Sequence, residues 1–413
     1  MSKMPPAGRT LLVLGVLLFL YLTTYSLPNM AAIEWVQAID AYSYLAIAKA
    51  APSFPSELLP YHFSQRWLPH YLVGLLAKLL AIDVGDAYAG TSFALCLLIF
   101  WLSLDTVLRV FKEVRIAVFA FLFIALSPFS FRLVIFVPEL LADLVFVLGL
   151  AVTLRALFIG RLGWVIAGMV IATIGKQMSL LILPGVLLYT WCRFNDGTGS
   201  KRAIFSSIGV AFGTVGTYLW LGESAVGFAH PNSITSSVLF AIFPWLLSTS
   251  FSSSLFAEHL FRIFIPLAPL IGVLLLAQQK LTSANDAGGK VLLRKIISPK
   301  SLALLLMLLG PMAYAFLPGP QVQMGNQSRY IALAFLPSAL LLARLLPDIR
   351  LQLNMRDFLM LGPLLSVFSY HHRYTLLQAT PPLFLLVHFV TLLGLLLWFA
   401  RRLSLQPEHP AGG

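Results

Sequence analysis

The sequence predicts an all-α integral membrane protein that crosses the bilayer about twelve times. The chain has 413 residues, of which 59% are hydrophobic and only 11% are charged. Average soluble proteins carry about 25% charged residues, and a soluble core could not bury this much apolar side chain. Because a spanning helix needs roughly 20 apolar residues, the length accommodates about twelve spans with short connections. We therefore expect a single transmembrane domain over 1–413 and no separate soluble domain.

Apolar runs that define the spans follow one another along the chain. The predicted spans cover about 10–27, 87–110, 115–134, 139–159, 162–174, 178–193, 203–221, 260–277, 301–317, 330–346, 357–369 and 382–400. The run 67–82 is short and carries His70 and Lys78. It therefore indicates an amphipathic helix at the membrane surface rather than a span.

Basic residues set the predicted orientation. The chain has 28 Lys and Arg against 16 Asp and Glu, a net charge of +12. Most of the basic residues fall in loops such as 109–115 and 278–300, which this order of spans places on one side. That bias is typical of cytoplasmic loops and predicts that both termini are cytoplasmic. Short loops and two cysteines favour a prokaryotic plasma (inner) membrane, and no basic stripe suggests a nucleic-acid partner.

Charged residues near the span ends are expected to pair locally. Asp105 and Arg109 are four residues apart on one predicted helix, which favours an ion pair. Arg132 lies near the outer end of its span, where Glu139 or Asp143 is the expected partner.

Two long segments on the predicted outer side, 28–85 and 222–259, carry ionisable and aromatic residues. These residues are not needed to orient the spans in the membrane. In the first, a short Tyr-rich amphipathic helix follows Asp40, and Arg-Trp-Leu-Pro begins at Arg66. Ionisable groups at the membrane are costly and tend to be functional, so we expect binding or chemistry on the outer face. Asp40 is interpreted either as a helix first-turn acid or as a catalytic base for a hydroxyl or amine acceptor.

The order of these motifs resembles the GT-C superfamily, polytopic glycosyltransferases that use polyprenyl-phosphate sugars. Familiar members are protein O-mannosyltransferases and the aminoarabinose transferase of lipid A. Besides the first outer segment, three stretches are similar to that pattern: Phe136-Val-Pro-Glu-Leu-Leu-Ala-Asp143, Ala172-Thr-Ile-Gly-Lys176-Gln and Asn326-Gln-Ser-Arg329-Tyr330. The resemblance covers the layout from residue 1 to about 346. It departs from the family where Ala41 follows Asp40, since family members often have an acidic pair there.

The resemblance implies a role for each matching residue. Asp40 would be the catalytic base, and Glu139 a second catalytic acid that assists a metal or orients the substrate. Substrate-binding positions would be Arg66, Lys176, Arg329 and Tyr330. Apart from the resemblance, His230 and His259 are candidates to contact the sugar or the phosphate, because they lie in the second long outer segment. A guanidinium can grip a lipid phosphate bidentately. The expected partners are a polyprenyl-phosphate sugar donor and membrane lipids; the acceptor and a divalent metal are left open, and no other cofactor is expected.

Two other functions stay open on the sequence. A transporter or flippase of lipid-linked sugars would share the lipid groove and the cationic sites. It would also need paired charges deep in the bundle, where this sequence has few acids. A noncatalytic subunit of a membrane glycan-assembly complex would tolerate the loss of Asp40, Glu139 and Arg329 together. Transfer from a polyprenyl-phosphate sugar needs a base and cations that stabilise the developing phosphate charge, but it needs no nucleotide. A glycine-rich loop that binds nucleotide phosphates is therefore not required.

Overall fold

The computed structural model describes residues 4–25, 41–126, 131–195, 200–230, 296–316 and 333–345, with Tyr330, 349–351, Asp357 and parts of 390–405. Its α-helices are α1 Pro6–Tyr25, α2 Tyr42–Ala50, α3 Tyr61–Ser64, α4 Trp67–Leu80, α5 Val84–Val110, α6 Val114–Ala125, α7 Phe131–Phe136, α8 Leu141–Ile159, α9 Leu162–Gly175, α10 Ser179–Phe194, α11 Ser200–Ala225, α12 Pro299–Phe316 and α13 Phe335–Leu345. Short 3₁₀ turns, Pro138–Leu140 and Val226–Phe228, precede α8 and follow α11.

Four helices in the described part are long and apolar enough to cross a membrane. They lie at Pro6–Thr24, Val84–Val110, Pro138–Ile159 and Lys201–Phe228. A membrane-type helical fold is therefore supported. The number of twelve spans stays a prediction, because the predicted span at 260–277 lies outside the described residues and the last two spans are described only in part.

Strands were not expected from the sequence, and the described part contains one short pair. β1, Ile349–Leu351, runs antiparallel to β2, Leu403–Leu405, with Ile349 opposite Leu405. The pair joins the chain after α13 to the C-terminal region. It does not change the helical character of the rest.

Helix ends follow from local chemistry. The Asp83 side chain accepts a hydrogen bond from the Gly85 amide (2.6 Å) and so caps α5, as short acidic side chains do at a first turn. Gly160 ends α8 in the left-handed region, with φ 74°, where glycine is the usual residue. The predicted span at 115–134 is instead two helices, α6 and α7, and residues 127–130 between them lie outside the description.

Glycines allow two pairs of helices to pack at backbone contact. A Cβ added to Gly149 on α8 would overlap the backbone of Ala172 on α9, and one added to Gly175 would overlap Phe146. Small residues are the usual means of such close approach in membrane proteins. In the first outer segment, a Cβ on Gly74 of α4 would meet the Ala48 carbonyl of α2.

Helix α4 has two different faces. It is 14 residues long, or about 21 Å, too short to cross a hydrocarbon layer. One face is buried and includes His70 and Gly74, whereas Leu72 and Leu79 on the other face are exposed. The protein-facing side therefore carries the polar group, and the outward side is apolar enough to contact lipid. A bond from Trp67 Nε1 to Ser224 Oγ (2.9 Å) ties the start of α4 to α11.

Candidate functional site

A buried group of polar side chains lies where the first outer segment meets the long helices. Its members come from α2, the start of α4, α5, the start of α8, the turn between α9 and α10, α12, and the residue Tyr330. We call it the Arg66 cluster, and it consists of Tyr44, Gln65, Arg66, His70, Tyr88, Asp143, Lys176, Gln177, Tyr314 and Tyr330.

Arg66 is the centre of the cluster. It is the N-cap residue of α4 and only 4% exposed. Its guanidinium donates to the Tyr44 hydroxyl (2.9 Å), the Gln177 side-chain carbonyl (3.1 Å) and the Tyr314 hydroxyl (3.2 Å). All three acceptors are neutral oxygens. A buried charge normally needs a compensating partner, so the site is electrostatically suited to an anion.

Lys176 supplies a second buried cation. It follows the last residue of α9, is fully buried, and forms an ion pair with Asp143 in the first turn of α8. Its ammonium also lies 4.4 Å from the centroid of the Tyr330 ring, within cation–π range. Tyr330 in turn packs edge-on against Tyr314, with ring centroids 5.0 Å apart. Because Tyr314 also accepts a hydrogen bond from Arg66, the packed rings of Tyr314 and Tyr330 connect the Arg66 and Lys176 cations.

The His70 side of the cluster has a defined hydrogen-bond direction. Tyr88 donates its single hydroxyl hydrogen to the Tyr44 carbonyl (3.1 Å). The 2.9 Å contact between His70 Nδ1 and the Tyr88 oxygen is therefore donated by His70. Its Nε2 then acts as an acceptor, buried and without a hydrogen-bond partner within the described ranges. Burial, with a smaller contribution from the Arg66 charge, lowers the pKa of His70 to about 3, so the ring is neutral at physiological pH.

Glu139 lies at the edge of the cluster. It belongs to the 3₁₀ turn Pro138–Leu140, which Ser92 of α5 fixes by donating to the Pro138 carbonyl (3.4 Å). The carboxylate is within electrostatic range of Tyr88. Its Oε2 atom is buried and accepts no hydrogen bond from the described residues. The turn therefore holds an acid beside the Tyr88–His70 pair.

The remaining predicted residues are placed less centrally or lie outside the description. His230 is exposed, and its backbone amide donates to the Leu59 carbonyl (2.8 Å), so it is not a member of the buried Arg66 cluster. Asp40, His259 and Arg329 lie outside the described residues. The structure thus brings together Arg66, Lys176 and Tyr330, with Glu139 nearby. It leaves the predicted base untested.

The partners of Arg66 were missed by the sequence analysis. Gln177 stands next to Lys176, and that adjacency is the signal that could have drawn attention to it. Tyr44 lies in the Tyr-rich helix that follows Asp40, but its hydroxyl could not be assigned a partner from sequence. Tyr314 is an isolated tyrosine in an apolar run and has no such signal.

Two predictions about charged pairs have different outcomes. Asp105 and Arg109 form the expected ion pair, with 2.8 Å between Oδ2 and Nε. Arg132 is buried and its Nη1 donates to Thr23 (2.9 Å) and Thr24 (3.1 Å), so it ties α7 to the end of α1. Asp143, named as one candidate partner of Arg132, instead provides the carboxylate for Lys176.

Metal binding is the other open question at the site. Among the residues the structure describes, no three His, Cys, Asp or Glu side chains converge as a metal site requires. Apart from the Asp143 carboxylate, which pairs with Lys176, and the His70 imidazole, the described cluster consists of cations, hydroxyls and amides, which are groups that bind anions. The described part therefore assigns no metal ligand.

No family model, no curated protein and no solved structure matches the chain. The GT-C resemblance therefore stays a prediction based on the order of the motifs. A functional proposal must depend on the geometry of Arg66, Lys176 and their neighbours.

Proposed function

We propose that the protein is a glycosyltransferase that moves a sugar from a polyprenyl-phosphate donor to an acceptor on the non-cytoplasmic face of the membrane. The observation that carries this proposal is the buried Arg66 guanidinium, which is held by three neutral oxygens beside the second buried cation, Lys176. A donor phosphate would give Arg66 a charged partner, which none of its three described acceptors provides. Guanidinium and phosphate form strong, charge-assisted hydrogen bonds.

The transfer step assigns a task to each group. The acceptor oxygen or nitrogen attacks the anomeric carbon of the sugar, and its proton passes to the Asp40 carboxylate. The bond between that carbon and the phosphate oxygen breaks, and its electron pair stays on the polyprenyl phosphate. Arg66 and Lys176 stabilise the charge that develops there, because preorganised cations act strongly in a site that excludes water.

Other features support the same function. The apolar outward face of α4, with Leu72 and Leu79 exposed, offers a surface for the polyprenyl chain beside the cation site. Glu139 provides a carboxylate that could orient the sugar or the acceptor near Tyr88. Neutral His70 offers a hydrogen-bond acceptor at Nε2. These groups suit a sugar phosphate, whose hydroxyls are donors and whose leaving group is an anion.

One observation favours a second candidate, a transporter or flippase of lipid-linked sugars. Lys176 and Asp143 form a charge pair between helices that is almost completely buried, the feature that coupled transporters use. The pair joins the first turn of α8 to the residue that follows α9, at the outer end of the bundle in the predicted topology rather than near its middle. That position suits a substrate pocket at the membrane surface better than a transport path.

A purified-protein assay tests the proposal. Radiolabelled polyprenyl-phosphate sugars are offered to the full chain in nanodiscs, and transfer or slow donor hydrolysis is measured. Asp40→Asn should lower turnover by about 10²- to 10⁴-fold, the usual contribution of a general base, while donor binding is retained. Asp86→Asn is the matched control, since Asp86 is an exposed acid in the first turn of α5.

The binding arm uses Arg66. Arg66→Gln should abolish donor binding, whereas Arg202→Gln, at an exposed arginine of α11, should leave it unchanged. Full turnover by Asp40→Asn would rule out the proposed base. Donor binding without turnover in the wild type would favour transport, which counterflow of labelled donor in proteoliposomes would detect. A chain that neither binds nor turns over any donor would be a noncatalytic subunit.

A further inference from the structure

A second polar site lies at the opposite end of the long helices. A cavity of about 610 Å³ opens between the start of α1, the end of α5 and the end of α8. Along α5, its Asp105 is 17 residues from Tyr88 of the Arg66 cluster, or about 26 Å at the helical rise. We call it the basic cavity; it is lined by Met4, Arg9, Asp105, Leu108, Arg109, Val110, Phe111, Lys112, Val114, Phe158 and Ile159.

Among the described residues, the arginines around Asp105 outnumber the carboxylates that bind them. Asp105 binds three arginines: Arg109 and Arg155 each place Nε at 2.8 Å, and Arg9 places Nη1 at 3.3 Å. Lys112 lines the same cavity. Within the described ranges, the single Asp105 carboxylate therefore binds three guanidinium groups. If the group only joined three helix ends, one carboxylate for each arginine would do so with less repulsion between the guanidinium groups. Three arginines on one carboxylate therefore suit an additional anion.

The geometry of the arginines leaves donors for that anion. Arg109 and Arg155 use Nε to bind Asp105. Their terminal guanidinium nitrogens make no hydrogen bond to another residue that the structure describes. Arg109 is also half-exposed, with 51% of its side chain accessible. A planar guanidinium with a free edge is the group that grips a phosphate.

The rest of the lining indicates where the phosphate comes from. Leu108, Val110 and Phe158 give the cavity apolar walls directly beside the cations. An inorganic anion makes no favourable contact with apolar walls, whereas the glycerol and upper acyl chains of a phospholipid pack against them. The cavity also lies at the end of the bundle that the positive-inside bias predicts to be cytoplasmic, where anionic lipids collect and basic pockets between helices bind their head groups.

We propose that the basic cavity is a binding site for the phosphate of an anionic phospholipid of the cytoplasmic leaflet. Arg9, Arg109 and Lys112 bind the phosphate, and Asp105 orients the arginines. Arg155 does not line the cavity and binds Asp105 Oδ2, the same oxygen that Arg109 binds. The bound lipid would join α1, α5 and α8 and so stabilise the bundle. This site is independent of the proposed transferase chemistry.

The test measures thermal unfolding and lipid adducts of the detergent-purified full chain. Phosphatidylglycerol should stabilise the wild type and should be seen as a bound adduct by native mass spectrometry; phosphatidylcholine should do neither. Arg109→Gln with Lys112→Gln should weaken phosphatidylglycerol binding by about tenfold or more, from the typical contribution of each basic residue. Lys201→Gln with Arg202→Gln removes two exposed cations of α11, on the same predicted face, and should change little.

Several outcomes would overturn the proposal. Equal losses in the two double variants would mean bulk surface electrostatics rather than a site. Equal stabilisation by millimolar inorganic phosphate would identify a free anion, and not a lipid, as the ligand. Lys112→Gln alone guards against misfolding, because Lys112 is exposed and the three bonds to Asp105 remain. If it folds normally and binds phosphatidylglycerol as the wild type does, Lys112 has no part in a lipid site.

Discussion

At the scale of single residues, the Lys176–Asp143 pair is the most deeply buried ion pair in the described part. Only 0% and 4% of the two side chains are accessible, so both charges have lost nearly all contact with water. Desolvation of such a pair is repaid only by close geometry and further contacts. The Tyr330 ring against the ammonium is one such contact.

Removing one partner of the pair should destabilise the protein. Asp143→Asn leaves the buried ammonium without this carboxylate, and we expect the free energy of unfolding to fall by about 3–5 kcal/mol. The double variant Asp143→Leu with Lys176→Met removes both charges and should recover most of that loss. Thermal and denaturant unfolding in detergent would measure both. Asp86→Asn, an exposed acid, is the control, and a double variant as unstable as the single one would contradict this account.

The sequence predicted the cluster's cations but not their contacts. Arg66, Lys176 and Tyr330 stand out because ionisable and aromatic groups at motif positions in an apolar chain are unusual. The contact of Tyr314 with Arg66 could not be predicted, since the sequence around a tyrosine in an apolar run does not indicate its hydrogen-bond partner. Its contact with Arg66 spans 248 residues of chain. Such pairs depend on how the helices are arranged, which periodicity does not encode.

At the scale of helices, the contact between α2 and α4 positions the cluster. Tyr44 lies on α2 and Arg66 is the N-cap residue of α4, so their 2.9 Å hydrogen bond joins the two helices. Gly74 makes this approach feasible because a Cβ there would meet the Ala48 carbonyl. The close contact is therefore a requirement of the site as well as of the fold.

Gly74→Ala should separate α4 from α2. We expect a loss of about 1–3 kcal/mol in unfolding free energy, the usual result of overpacking, together with weaker donor binding through a longer Arg66–Tyr44 bond. Gly90→Ala is the matched control, since nothing lies within 4 Å of a Cβ at this glycine of α5. Unfolding and donor binding would be measured on both variants. An unchanged Gly74→Ala would show that the two helices can move apart without affecting the site.

Helix positions were predicted better than helix contacts. The apolar runs near 139–159, 162–174 and 178–193 match α8, α9 and α10 to within a few residues, because long apolar runs define a helix in any membrane context. The division of 115–134 into two helices was missed. Glycine contacts such as Gly149 against Ala172 depend on which helices are neighbours. The apolar periodicity of the sequence does not predict which helices are neighbours.

At the scale of the whole molecule, two polar sites occupy opposite ends of the same helices. Helix α8 carries Asp143 in its first turn and Arg155 near its end, 12 residues apart, which is about 18 Å along the axis. Between them the helix is buried and apolar. This separation of polar ends by an apolar middle is what a bilayer imposes on a bundle. It does not by itself say which end faces the cytoplasm.

Cysteine accessibility would determine that orientation. In a Cys192→Ser background only Cys96 remains, and it is buried. Glu57→Cys in the first outer segment and Lys201→Cys at the start of α11 replace exposed residues. The positive-inside rule predicts that a membrane-impermeant maleimide labels position 57 in intact cells and position 201 only after permeabilisation. The reverse result would invert the topology: the Arg66 cluster would face the cytoplasm, and a polyprenyl-phosphate donor on the outer face could not reach it.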